Sequence, residues 1–359
     1  MKDDDLSEAR KEYTFQIHEK YPRMTILHHL DADGTLWGTE KRWICKNQHG
    51  KWERIAQFPF QSPRDWFGFS RPTARAMRAD KCNLYVNKFG RILGIRAGQV
   101  YAISEGEQPQ ALFTIQGDSV LHGSLCEDDQ GNILFGEYFM NPSRGAVNLW
   151  RVSADLDAWE PAVVFKEEKI RHIHGVFRDP YQQGVFWVAV GDFAGECYLL
   201  RSADNFRTLQ RYGAGSQIWR AVHLFFTSDH VCWLTDSNLE PNHACRMKRT
   251  TGALEIGMDI ANSGWYGTTT EEGLHVAFTT VERGPGITSN YSEVLVSQDG
   301  FHWQSVHSFK KDWYRPVQVF KYGVISCPSG TMSKDNLYIS GEGLVGLDGC
   351  SMRIGIVER

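Results

Sequence analysis

The chain has no C-x-x-C pair, no apolar run of transmembrane length and no strong excess of charge of either sign. Each absence excludes something. Eight cysteines scattered without paired spacing rule out the usual zinc and redox frameworks, and several lie inside apolar strand-like runs such as Val231-Cys-Trp-Leu, so they read as buried reduced thiols. A formal charge of −4 gives no bulk attraction to nucleic acid or to an anionic membrane, and neither is expected as a partner. The opening Met1-Lys-Asp-Asp-Asp-Leu-Ser-Glu lacks an apolar h-region and a cleavage site, so a cytoplasmic location is expected. Helical periodicity is confined to residues 5–20, and there is no P-loop, G-x-S-x-G or H-E-x-x-H. Gly341-Glu-Gly343-Leu-Val-Gly346 matches G-x-G-x-x-G, but no helix and crossover follow it, so it reads as a strand-end turn.

What the chain does have is aromatic residues, at 13% with 12 Trp, and a repeat. A short strand opening with a basic or aromatic residue recurs at Arg23, Arg71, His122, Arg171, Arg220, Tyr266 and Arg315, about every 49 residues. Within a unit, four β-rich runs alternate with Gly, Asp, Asn and Pro clusters. The fourth unit shows this in His174-Gly-Val-Phe, Val185-Phe-Trp-Val-Ala-Val, Cys197-Tyr-Leu-Leu-Arg and Thr208-Leu-Gln-Arg-Tyr. Seven such units predict an all-β fold, a seven-bladed β-propeller, as one domain over residues 1–359. Residues 1–12 are expected to be a flexible or helical extension and residues 54–69 an insertion between the first two blades. Ring closure is expected in the last blade.

A second signature falls at the third turn of several units: Ser297-Gln-Asp299-Gly300-Phe-His-Trp303, with variants Ser202-Ala-Asp204-Asn-Phe-Arg-Thr208 and Ser153-Ala-Asp155-Leu-Asp-Ala-Trp159. This resembles the Asp-box (BNR) repeats of sialidase-like propellers. The resemblance implies that the Asp carboxylate binds turn N–H groups, that the Trp packs between blades, and that these turns lie away from the active face. It does not extend to the sialidase site: Arg71-Pro and Arg315-Pro are loose echoes of its Arg element, Glu137 and Tyr138 are adjacent rather than paired, and sialidases have six blades. Sialidase activity is not expected.

Because strands alternate direction, starts of first strands and ends of second strands share one face near the axis. That face collects Arg71, Arg171, Arg220 and Arg315 with Glu137, Asp192, Asp236 and Glu282, and with His122, His172, His174 and Tyr266. Clustered guanidiniums suit a carboxylate, sulfate or phosphate, and Trp219 and Trp265 beside the strand starts suit a sugar ring. The predicted ligand is therefore an acidic saccharide. The chain would bind it or act on it as a lyase or hydrolase. Arg71, Arg171, Arg220 and Arg315 would meet the anionic group, Asp192, Asp236 and Glu282 the hydroxyls, and His172, His174, Tyr266 or Glu137 would carry protons. His122, His172 and His174 are also candidate ligands for a divalent metal. The alternative is a non-catalytic propeller that holds another protein on its flat face, with the Arg and acidic residues as scaffold.

Overall fold

The computed structural model describes residues 11–166, 169–312 and 322–359. They form seven antiparallel four-stranded sheets arranged as a β-propeller. The innermost strands are Ile26–Leu30, Asn83–Val86, Cys126–Glu127, Ile173–Arg178, Phe225–Phe226, Ser263–Thr269 and Val324–Ser326. The second strands are the most apolar, because each lies between two neighbouring blades and is covered on both faces. All five residues of Phe186–Val190 are buried, whereas the outermost strand of the same blade, Gln210–Gly215, is largely exposed. The core is accordingly a series of inter-blade layers. In one of them Trp187, Leu199 and Trp219 of the fourth and fifth blades meet Trp233, Cys245 and Met247. All eight cysteines are free thiols, six of them buried.

The ring closes in the seventh blade. Val324–Ser326, Leu337–Glu342 and Ser351–Glu358 come from the end of the chain, and the outermost strand is Tyr13–Tyr21, paired from Tyr13 opposite Glu358 to Tyr21 opposite Ser351. The helical expectation for residues 5–20 is thus overturned from Tyr13 onward. The alternation of Tyr13, Phe15 and Ile17 with polar residues is a strand pattern, and only pairing across the ring satisfies its backbone. Lys11 and Glu12 are tied to the same blade, through Glu358 and Arg359. Residues 1–10 lie outside the described residues.

The insertion is longer and later than the sequence suggested. Residues 54–57 belong to the strand Lys51–Gln57, and the next strand begins only at Asn83. Between them a 3-10 turn (Arg64–Phe67) and the helix α1 (Arg71–Ala76) form a cap. Arg71 therefore opens a helix, not a blade. Ser70 caps it by accepting from the Thr73 N–H, and Pro72 sits in the first turn, where its missing N–H costs nothing. The cap is fixed by ion pairs: Asp65 with the fully buried Arg96, Arg64 with Asp118, and Arg71 and Arg75 with Asp348.

Candidate functional site

At the third turn of the sixth blade, Asp299 Oδ1 accepts from the N–H groups of Phe301 and His302 and from Ser297 Oγ. Trp303 packs on Phe225 of the fifth blade, ring centroids 5.0 Å apart. Asp204 does the same for the N–H of Thr208, but in the third blade the turn is held by Ser153 and Asp157, and Asp155 points to solvent toward Arg91. These turns join third to fourth strands, so they lie at the opposite end of the blades from the charged residues described next.

Asp192 is the centre of the charged cluster. It follows the strand Phe186–Val190, at the end where Arg171 and His172 lead into Ile173–Arg178. Its Oδ2 pairs with Arg171, and its Oδ1 lies 2.8 Å from Arg220 Nη2. His174 Nε2 is 3.3 Å from Oδ1, His172 Nε2 is 3.5 Å from Oδ2, and the two Nε2 atoms are 3.1 Å apart. Both histidines are fixed from behind: His172 Nδ1 contacts the Phe139 carbonyl at 2.9 Å and His174 Nδ1 the Ala221 carbonyl at 2.8 Å. The close approach of the fourth blade depends on Gly136, where a Cβ would come within 2.3 Å of Ile173. Burial lowers the pKa of His172, with Asp192 opposing the shift. Burial would raise that of Asp192, but the positive charge around it, with Arg220 at 2.8 Å, holds the carboxyl well below the usual range.

Arg220 carries the cluster into the next blades. Its Nε lies 3.1 Å from Asp236 Oδ2, and Trp265 Nε1 donates to Asp236 Oδ1 at 2.7 Å and to Glu282 Oε1 at 3.2 Å. Burial opposes the charge on Arg220, but Asp236 and Asp192 outweigh it and raise its pKa. Burial raises both acids, Glu282 further through its neighbour Asp236. The structure thus brings together Arg171, His172, His174, Asp192, Arg220, Asp236, Trp265 and Glu282.

Beside the cluster lies a cavity under the cap. Tyr138, Trp265, Tyr266 and Tyr322 wall it, and Arg71, Arg78 and Lys81 bring positive charge from the insertion. Tyr138 and Trp265 belong to both regions, since the Tyr138 ring lies 4.2 Å from that of His172. Sequence reasoning placed Tyr138 beside Glu137 at this face but gave it no role, and it missed Tyr322, Arg78 and Lys81. Arg78 and Lys81 lie on an insertion with no repeat phase to mark them.

Other expected residues are placed elsewhere. Glu137 faces away from the axis, accepting from the N–H groups of Gln116 and Asn148 and from Trp150 Nε1, because successive side chains on a strand alternate and Tyr138 takes the inward direction. Trp219 is inter-blade packing, stacked on Trp233 at 5.4 Å. Arg71 reaches the cavity from α1 with its charge paired to Asp80 and Asp348. His122 does not join the other two histidines. It lies between His28 and Tyr266, and both it and Tyr266 also line a second cavity with His223 and Cys327, so the pair forms a partition across the axis. The group of potential ligands that does converge is His172, His174 and Asp192. Arg315 lies outside the described residues.

These features define a seven-bladed β-propeller with an ion-paired axial cluster and a capped cavity beside it. No family model matches the chain, and no curated protein does. Solved propellers do. The virginiamycin B lyase of Staphylococcus aureus is 12% identical with a TM-score of 0.59, over 96% of this chain and all of that one. U3-55K (10%, TM-score 0.51, 95% and 98% covered) and the RRP9 WD40 repeats (10%, 0.52, 96% and 98%) are similar to it as well. Identities this low speak for the fold alone, and none of these three likenesses supports the Asp-box or sialidase resemblance. Among the described residues no helix is long and apolar enough to cross a membrane.

Proposed function

We propose that the axial cavity under the cap binds a small acidic saccharide and that the chain acts on it as a lyase or hydrolase. The observation that carries this reading is the lining: four aromatic walls, Tyr138, Trp265, Tyr266 and Tyr322, with Arg78 and Lys81 at one side. Aromatic faces stack on sugar rings, and cations meet a carboxylate. Groups there that can carry a proton are Tyr138 and Tyr266 in the wall and Glu282 behind Trp265. A thermal-shift panel tests it. Galacturonate, glucuronate or N-acetylneuraminate should raise the melting temperature, neutral hexoses should not, and Arg78→Ala should abolish the response. A flat response to every acidic sugar from folded protein would remove the reading.

A second reading has its own observation. Phe60, Trp66, Phe67, Phe69 and Met77, all on the insertion, are exposed. Apolar side chains gathered on one surface suit a protein partner. A propeller that ignores acidic sugars but loses a co-purifying partner on Trp66→Ala with Phe69→Ala would be of this kind.

A further inference from the structure

The two histidines and the aspartate at the axis face one another in an arrangement that hydrogen bonding among them does not complete. A main-chain carbonyl only accepts, so the Nδ1 atoms of His172 and His174, against Phe139 O and Ala221 O, must be the donors. A neutral ring then presents a bare lone pair at Nε2. Two such lone pairs 3.1 Å apart, with carboxylate oxygens at 3.3 and 3.5 Å, are three acceptors aimed at one another. We infer that His172 Nε2, His174 Nε2 and Asp192 form a binding site for a divalent transition-metal cation.

The distances support this independently of the lone pairs. Imidazole nitrogen and carboxylate oxygen bind zinc at about 2.0–2.2 Å. With His172 Nε2, His174 Nε2 and Asp192 Oδ1 each about 2.1 Å from one ion, the 3.1 Å and 3.3 Å separations from His174 Nε2 correspond to ligand–metal–ligand angles of roughly 95° and 104°, between the octahedral and tetrahedral values. The supporting contacts are also those of a metal site. Each imidazole gives its second nitrogen to a carbonyl, which sets tautomer and ring orientation, and the carboxylate is held in turn by Arg171 and Arg220. Two imidazoles and one carboxylate favour zinc, manganese, iron or cobalt over calcium or magnesium, which prefer oxygen alone. Three ligands leave the remaining positions open, on a cluster that shares Tyr138 with the capped cavity.

This inference rests on the axial cluster and not on the saccharide reading. The test uses the full chain, stripped with a chelator and titrated calorimetrically with Zn²⁺. One equivalent should bind. His174→Ala and Asp192→Asn should each weaken it by more than about 100-fold, beyond what loss of a supporting contact produces. His122→Gln should leave it unchanged. Because His174 is buried and its alanine variant is at risk of misfolding, the unsubstituted protein is also loaded with Co²⁺. Two strongly shifted, exchangeable imidazole N–H resonances should appear, one for each Nδ1–H. No uptake at one equivalent, no shifted imidazole protons, or loss of binding in a folded His122→Gln protein would each overturn the assignment. Metal uptake without any sugar response would leave it standing and count against the saccharide reading alone.

Discussion

Trp265 offers one indole N–H to two carboxyls, and of these, among the described residues, Asp236 is the one ion-paired to a guanidinium. Burial and the charge of Asp236 beside it favour the neutral form of Glu282. The sign of the resulting pH effect follows. A carboxyl whose folded pKa lies above its unfolded value, about 4.3, binds a proton more tightly in the native state. Its contribution to stability is full below about pH 4.3 and is lost as pH rises through the folded pKa, here pushed up to about 8. Glu282→Gln should therefore melt progressively higher than the unsubstituted protein as pH rises from about 5 to about 8, the gap widening by up to about 1.4 kcal/mol with each step of one in pH. Parallel melting curves across that range would mean that Glu282 ionises normally. Glu137 shows why single residues are hard to choose from sequence. It ends a second strand as Asp192, Asp236 and Glu282 do, yet the strand turns it outward and Tyr138 inward. Which of two neighbours faces the axis depends on where the strand stops, and that is set by its pairing within the blade and with the next one, as where the Ile173 N–H donates to the Glu137 carbonyl.

The insertion is the element the repeat concealed. Ser-Arg-Pro at residues 70–72 arrives in phase with the strand starts, so the period argued for a blade while the local chemistry argued for a capped helix, and the helix won because its backbone is satisfied within itself. Its anchor is the buried pair Arg96–Asp65, the arginine also donating to Ala79 O at 2.8 Å. Removing one partner strands the other charge. Arg96→Met should cost about 3–5 kcal/mol in urea unfolding, and Asp65→Asn combined with Arg96→Met should recover part of the loss. An additive double variant would show that the two residues stabilise the cap separately. The expected blade starts at 23, 122, 171, 220 and 266, by contrast, fall within five residues of the observed inner strands. Those strands are short and bounded by turn residues, and the four-strand period has to repeat for adjacent blades to cover one another.

Over the whole molecule, the axis and inter-blade layers hold several histidines in neutral form. Burial lowers His122 and His275 to about 4, His223 to about 3 and His28 well below its usual value, with neighbouring positive charge adding to the effect at His122. Here the sign is opposite to that of Glu282. The unfolded chain takes up protons below about pH 6.5, so stability is full above that value and falls as pH drops toward about 4. The melting temperature should decline between about pH 7 and about pH 4.5, and His223→Asn should flatten part of the decline. An unchanged slope would mean that carboxylates, not histidines, govern acid unfolding. The seven-fold architecture was legible in the spacing because symmetry repeats its signal; the identity of the last partner strand was not, because a single closing contact leaves no repeat to read.

That closing contact has a consequence in time. Tyr13–Tyr21 pairs with Ser351–Glu358, so the earlier segment must wait for one made roughly 340 residues later. At ordinary elongation rates the interval is roughly 20–70 s. Over it the blades between emerge and stack one after another while an unpaired strand trails in solution, open to the wrong neighbour. Production of this protein should thus depend on what shields Tyr13–Tyr21 until Ser351–Glu358 arrives.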